Sequence, residues 1–223
     1  MLCIIPDVLD WSTLKQIRGV ADEAEFRDGR LTAGYRAKRV KNNAQMRKSS
    51  QKEKTLDKVL IDALNANKTF RRRALPKRIM APMISRYEVG MNYGPHVDDA
   101  LMNRPNTVRT DLATTIFISD PNEYEGGELV IDSPFGEQQV KLPAGAAVLY
   151  SATTLHYVAP VSEGVRIAAV TWIQSHVRDS GEREILADLD EICATLAKIA
   201  PERRETDLAF KTYANLTRRW AEV

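Results

Sequence analysis

The 223-residue chain predicts a mainly β protein with helices at both ends. Three observations lead there. From residue 79 to residue 178, short runs rich in β-branched and aromatic residues alternate with Gly, Pro and Asp breakers, with no helix-length interval between them. On both sides of that stretch the apolar residues recur every three to four positions, the period of an amphipathic helix. About eight short strands in succession point to a sandwich, a jelly roll or a barrel, because consecutive strands without crossover helices pair antiparallel.

In chain order, residues 10–26 read as a helix, with Ser12 as its cap and Leu14, Ile17, Ala21 and Ala24 on one face. Residues 30–48 are polar and irregular and read as strand pieces and a loop. A second amphipathic helix covers 51–67 through Leu56, Val59, Leu60, Ala63 and Leu64, and Arg71-Arg72-Arg73 follows on a polar edge. The strands are expected at 79–89, 93–99, 111–118, 127–132, 137–142, 146–151, 154–158 and 165–175. Gly126-Gly127, Pro134 with Gly136, Pro143 with Gly145, and Ser162-Glu163-Gly164 mark turns between them. After Asp179 the helical period returns, with Ile185, Leu186, Leu189, Ile192 and Cys193 on one face. Pro201 breaks it, and Leu208, Tyr213, Leu216 and Trp220 form a last helix. The expected organisation is one domain over 1–178, with N-terminal helices in 1–78 and a β core in 79–178, followed by a helical tail over 179–223. The apolar stripes of the tail need a partner surface. The outside of the β core, the N-terminal helices or a second copy of the chain would serve, and a homo-oligomer built through the tail is expected.

The net charge is only +2 but unevenly spread. Residues 36–78 hold fifteen Lys or Arg against Glu53, Asp57 and Asp62, while residues 96–137 hold nine Asp or Glu against two arginines. The basic stretch is either a solvated helical face or an attraction for an acidic substrate or nucleic acid. Cys3 and Cys193 match no metal spacing and read as free thiols in a reducing compartment. The N-terminus has no basic region followed by a long apolar run, and no stretch has membrane-spanning length, so a cytoplasmic protein is expected.

The chemistry concentrates in four residues. His96-Val-Asp98 puts an imidazole and a carboxylate two apart, on one face if the segment is a strand; His156 and Arg166 follow. Taken singly, His96 could hydrogen-bond Asp98 at a strand end, His156 could be a half-buried core histidine, and Arg166 an edge charge. Together on one β core they read as a metal site. His176 has no partner at suitable spacing and reads as structural. Two histidines and one carboxylate suit ferrous iron, whereas thiolates would favour zinc or iron–sulfur clusters. Three protein ligands leave room for a bidentate 2-oxo acid and for O2. Arg166 supplies a positive charge and a two-donor fork for the far carboxylate of such an acid. A hairpin through Ser162-Glu163-Gly164 is expected to put Arg166 on the strand next to His156.

These residues resemble the Fe(II)/2-oxoglutarate dioxygenases of the prolyl 4-hydroxylase-like branch, and most closely the bacterial PKHD-type hydroxylases. The resemblance runs over nearly the whole chain: Ala33-Gly34-Tyr35, Val40-Lys41-Asn42-Asn43, Arg86-Tyr87-Glu88, Tyr93-Gly94-Pro95-His96-Val97-Asp98, Arg109-Thr110-Asp111-Leu112, Tyr124-Glu125-Gly126-Gly127-Glu128-Leu129, Leu142-Pro143-Ala144-Gly145, Trp172-Ile173-Gln174-Ser175 and the terminal Arg218-Arg219-Trp220-Ala221-Glu222-Val223. It implies a double-stranded β-helix (a cupin-like jelly roll) holding Fe(II) on His96, Asp98 and His156, with Arg166 on 2-oxoglutarate. It further implies a co-substrate role for Tyr87, nine residues before the first ligand, and for Trp172, six after the arginine, although both also fit as core aromatics. Arg109 is the family's candidate for a substrate-facing arginine, against a plain loop charge. L-Ascorbate is implied as the reductant that rescues over-oxidised iron. The implied reaction is hydroxylation of an unactivated C–H bond in a prolyl residue, a peptide or a small molecule, with 2-oxoglutarate converted to succinate and CO2. An AlkB-like nucleic-acid demethylase is the first alternative; it would carry a second arginine six residues after the first, where this chain has Trp172. A non-catalytic jelly roll that senses iron or a small acid is the second, and turnover of 2-oxoglutarate separates it from both enzymes.

Overall fold

The computed structural model describes residues 2–49, 51–103 and 105–223. Its larger sheet runs, in spatial order, β1 (Leu2–Ile5), β14 (Ala147–Ser151), β10 (Leu112–Phe117), β17 (Arg166–Ser175), β6 (Met83–Tyr87), β4 (Ala44–Met46) and β2 (Phe26–Asp28), with β5 (Pro76–Ile79) pairing the far end of β17. The smaller sheet runs β13 (Gln138–Val140), β12 (Leu129–Ile131), β15 (His156–Val158), β7 (Asn92–His96) and β3 (Lys41–Asn42). Two short ladders, β11 (Tyr124–Gly126) with β16 (Val161–Gly164) and β8 (Leu101–Met102) with β9 (Val108–Arg109), complete a jelly roll whose pairings are all antiparallel.

Strand alternation decides which side chain serves which layer. Leu112 and Ile116 of β10, Ala147 and Leu149 of β14, and Ala169 and Ile173 of β17 face one way, into a core shared with Leu14, Ile17, Leu56, Leu60, Leu64 and Phe70 from three helices. These are α1 (Trp11–Glu23), α2 (Gln51–Ala66) and α3 (Lys68–Ala74). Ala113, Phe117, Val148, Tyr150 and Trp172 face the other way and meet Leu129, Ile131, Val140 and Val158 of the smaller sheet. The layers are therefore helix, large sheet, small sheet, and the space between the sheets is where the site forms.

Several expectations are corrected. α1 is capped by Asp10, whose carboxylate accepts from the Thr13 N–H at 2.7 Å, while Ser12 donates its hydroxyl to the same carboxylate. An ionised acceptor at the cap outcompetes a hydroxyl. The run 79–89 is two strands, because Pro82 has no N–H to give to a ladder. Arg71-Arg72-Arg73 is the last turn of α3, a helix the sequence reading missed although Asn67 caps it. The stretch 30–48 does hold strand pieces, β3 and β4, and the loop before them contains two 3₁₀ turns, Gly29–Thr32 and Ala37–Arg39.

The tail forms α4 (Ser180–Ile199) and α5 (Arg204–Trp220). Leu186 and Cys193 are buried, and Arg72 and Arg73 of α3 pair with Asp190 at 2.6 Å and Asp188 at 3.2 Å of α4. Part of the basic 36–78 stretch thus meets the acidic face of the tail. Of the tail residues expected to pack, Leu189, Leu216 and Trp220 are half-buried and Ile192 and Leu208 are exposed. Among the described residues no helix is long and apolar enough to cross a membrane.

Candidate metal centre

His96 is the last residue of β7 and His156 the first of β15, and the two stand opposite each other in the ladder. That register puts both imidazoles on the inner face, with ring centroids 4.3 Å apart. Asp98 does not sit on a strand: β7 ends at His96 and the carboxylate comes from the loop beyond it. The strand-face argument for the pair is therefore corrected, yet the loop turns Asp98 back so that ligand atoms of His96, Asp98 and His156 all lie within 4.8 Å of one another.

The protons are already arranged for a metal. Nδ1 of His96 lies 2.9 Å from the Gly94 carbonyl and Nδ1 of His156 lies 2.9 Å from the Thr154 carbonyl. A carbonyl only accepts, so each Nδ1 carries the hydrogen and each Nε2 keeps a free lone pair. Burial, with the nearby His156 second, pushes the His96 imidazolium down to about 3, so the neutral, ligating form holds at physiological pH. Asp98 is raised by burial, and its Oδ2 is buried with no hydrogen-bond partner. The Trp172 indole N–H, also buried and unpartnered, lies close enough to lower that carboxylate. A desolvated, unsatisfied carboxylate oxygen beside two free imidazole nitrogens fits a divalent cation, whose charge reverses the cost of burying it.

Arg166 is 1 % exposed and forms no ion pair among the described residues. Its guanidinium lies over the rings of Tyr87 at 5.1 Å and Phe117 at 5.5 Å, and its Nε has no partner. Tyr87 stands opposite it in the β6–β17 ladder, and the buried Tyr124 hydroxyl, also without a partner, is near enough for Arg166 to lower its pKa against the raising effect of burial. A permanently charged fork held in an aromatic box without a counter-ion is a ready anion site. One expectation fails here. Arg166 is not on the strand next to His156: β16 intervenes and β17 lies in the large sheet, so the arginine reaches the cavity from the opposite wall.

His96, Asp98, His156, Arg166, Tyr87 and Trp172 line one cavity of about 420 Å³. Arg109 does not line it. Its guanidinium holds Asp111 at 2.6 and 3.0 Å and Glu222 at 2.6 Å, which ties residue 222 to the start of β10. His176 is also outside, with Nδ1 3.3 Å from the Glu222 carbonyl. The sequence reading missed Tyr93, whose ring stacks on His96 with centroids 3.6 Å apart, and Tyr150, edge-on to His156 at 5.1 Å. Tyr93 lies three before the first ligand, a signal that was available.

Gly127 has φ +65°, and a Cβ there would stand 3.0 Å from Arg166 Cδ and 3.0 Å from Val161 Cγ2. Gly127→Ala is expected to lose about 1–2 kcal/mol for the left-handed backbone alone. It should also push the guanidinium and weaken 2-oxoglutarate binding. A thermal melt and a keto-acid titration check both; an unchanged melt would show that the turn relaxes.

Residues 82–174 match the family model of the 2OG-Fe(II) oxygenase superfamily. Over 224 residues the chain is 49 % identical to a "PKHD-type hydroxylase" of Synechococcus sp. (strain JA-2-3B'a(2-13)), covering all of both chains. A second protein with that name, from Caulobacter sp. (strain K31), is 43 % identical over 227 residues, again covering all of both. Among solved structures, a prolyl hydroxylase from Trichoplax adhaerens, in complex with a peptide fragment of the hypoxia inducible factor oxygen degradation domain, superposes with a TM-score of 0.59 at 15 % identity. The match covers 82 % of this chain and 86 % of that one, a likeness of fold.

Proposed function

Because this chain belongs to the PKHD-type hydroxylases, within the 2OG-Fe(II) oxygenase superfamily, we propose that it hydroxylates an unactivated C–H bond at the expense of O2 and 2-oxoglutarate. The observation that carries the reading is the pairing, in one cavity, of an unsatisfied His–Asp–His set with a buried arginine that has no counter-ion. Fe(II) bound there would supply the redox chemistry, in which one oxygen atom ends in the succinate formed with CO2 from 2-oxoglutarate and the other in the hydroxyl of the product. The chain's own part is positioning. His96, Asp98 and His156 would hold the metal, Arg166 with Tyr87 would hold the far carboxylate of the keto acid, and the Trp172 N–H would steady Asp98. Met80, Met83, Leu129, Val158 and Val170 give part of the wall an apolar surface that limits water.

Incubation with Fe(II), 2-oxoglutarate and ¹⁸O2 tests this. Succinate and a substrate heavier by one labelled oxygen should appear together; binding of 2-oxoglutarate without any succinate would favour the sensing reading. L-Ascorbate should prolong turnover by reducing iron lost to the ferric state. A prolyl or peptidyl substrate is supported by the relatives' fold, and the cavity volume also admits a small molecule. The free thiols Cys3 and Cys193 suit a reducing cytoplasm, which also keeps iron ferrous.

Assembly through the tail belongs to the same reading. Ile185, Ile192 and Ile199 recur every seven residues on α4 and are 51 %, 51 % and 73 % exposed, a seam that a second copy would cover. Light scattering should give a multiple of 25.1 kDa, and Ile192→Glu should lower it. A monomeric mass at micromolar concentration would end the oligomer proposal.

A further inference from the structure

We propose that Lys41 is the anchor for an anionic group of the prime substrate, so that the molecule hydroxylated here carries a carboxylate or an equivalent anion. The inference rests on the reading of the site just given.

Residues 41–46 cross from one sheet to the other. Lys41 pairs Tyr93 at the edge of the small sheet, and Ala44 and Gln45 pair Arg86 and Ser85 in the large one. Alternation turns Lys41, Asn43 and Gln45 to the same side, and all three are buried and line the cavity. Lys41 is 6 % exposed. Its Nζ meets the Thr32 hydroxyl at 3.3 Å and lies over the Tyr93 ring at 5.1 Å, and among the described residues it has no ion pair. Tyr93 in turn stacks on His96, so the ammonium sits beside the aromatic ring that backs a metal ligand. Next to it the Asn43 carboxamide, 4 % exposed, makes no close hydrogen bond and lies beside the Tyr87 hydroxyl. It is fixed against Gly29, where a Cβ would come within 1.9 Å of its Oδ1. The strip offers a cation and a neighbouring carboxamide to whatever fills the cavity.

Charge balance says which ligand the cation awaits. Fe(II) and Arg166 carry three positive charges, and Asp98 with dianionic 2-oxoglutarate carries three negative ones. The loaded site is neutral without Lys41, so Lys41 is a surplus positive charge in a desolvated wall. Asp99, also on the wall, is exposed to solvent and screened. Burial draws the ammonium down to about 8, with Asp98 and Asp28 opposing, which leaves it largely charged at neutral pH. An anionic substrate completes the balance; a neutral one leaves a buried charge unmet.

The test uses full-length protein loaded with Mn(II) and N-oxalylglycine, an unreactive analogue of 2-oxoglutarate. Matched acids and amides (N-acetylproline with N-acetylprolinamide, hippurate with hippuramide) are titrated by calorimetry or NMR. At least one acid should bind roughly 10-fold or more tightly than its amide. The preference should vanish in Lys41→Met and Lys41→Gln, survive in Lys41→Arg, and leave N-oxalylglycine affinity unchanged. Two neutral variants guard against one that fails to fold. Equal binding of acid and amide, no binding of any acid at about 10 mM, or a preference that persists in both neutral variants would overturn the proposal. So would weaker N-oxalylglycine binding in those variants, which would make the keto acid the anion Lys41 serves. Wild-type protein that binds no N-oxalylglycine would overturn the reading of the site itself, and this inference with it.

Discussion

Asp98→Ala protein is expected to retain no stoichiometric iron and to form no succinate, and His96→Ala and His156→Ala should behave the same way. Each variant leaves two protein ligands. Loss of a mere outer hydrogen-bond partner of a ligand costs about 10–100-fold in metal affinity, so loss of the ligand itself should exceed that. Asp98 is the sharpest case because it is the only anionic ligand. The fold should survive, since the metal-free protein gains nothing from burying that carboxylate. Its pKa is raised by burial, so in metal-free protein the folded state binds the proton more tightly than the unfolded chain does. Stability on this account falls as pH rises through the carboxylate range, and Asp98→Asn should remove the fall. Iron by elemental analysis, succinate by chromatography and a melt read the three effects. Full activity in any one ligand variant would remove that residue from the centre, and loss of iron in His176→Ala would show that a histidine outside the cavity had been dismissed in error.

Arg166→Ala should raise the apparent KM for 2-oxoglutarate about 30-fold or more while iron binding changes little, because truncating one side of a buried charged contact costs roughly 2–5 kcal/mol. Lysine should restore part of the affinity, keeping the charge without the fork. The structure adds a second readout. Without co-substrate the guanidinium is buried among Tyr87 and Phe117 with no counter-ion among the described residues, so metal-free Arg166→Met should melt no lower than wild type. An unchanged KM would move the anchor elsewhere, and a large drop in melting temperature would mean that the arginine is chiefly a structural member.

Residue chemistry was legible in the sequence where few types can do the work. Two of three histidines, a carboxylate two positions from one of them and a lone arginine in an apolar run mark the wall of the cavity in the sequence itself. Runs of β-branched and aromatic residues between Gly, Pro and Asp breakers located the jelly-roll strands, because strands covered on both faces, such as β10 and β14, read as short apolar runs bounded by turns. What stayed hidden depends on contacts between distant segments. Leu2–Ile5 is a strand only because β14 offers it an edge, and four residues carry too little pattern to show it. Arg109 resembles a substrate-facing arginine in sequence; Asp111 stands two positions away, and the return of Glu222 from far along the chain adds a second carboxylate partner. Lys41 looked like one cation among fifteen, since nothing in a basic stretch announces which member will be sealed beneath Thr32 and Tyr93.

The position of β17 bears on how the enzyme is made. It lies in the middle of the large sheet, between β10 and β6, yet it is the last strand of the jelly roll to leave the ribosome. Until residues 166–175 emerge, β10 and β6 have no common neighbour, and the nascent sheet is two fragments with unpaired inner edges. Such pairings are distant in sequence and close slowly. A truncated translation product ending before residue 166 therefore has its three metal ligands but lacks both Arg166 and the strand that holds the barrel shut. Exposed edges of this kind template pairing with other chains and make a partly folded product prone to aggregate. Such a chain is expected to aggregate rather than fold around its ligands, which a solubility assay on a product ending at residue 165 checks.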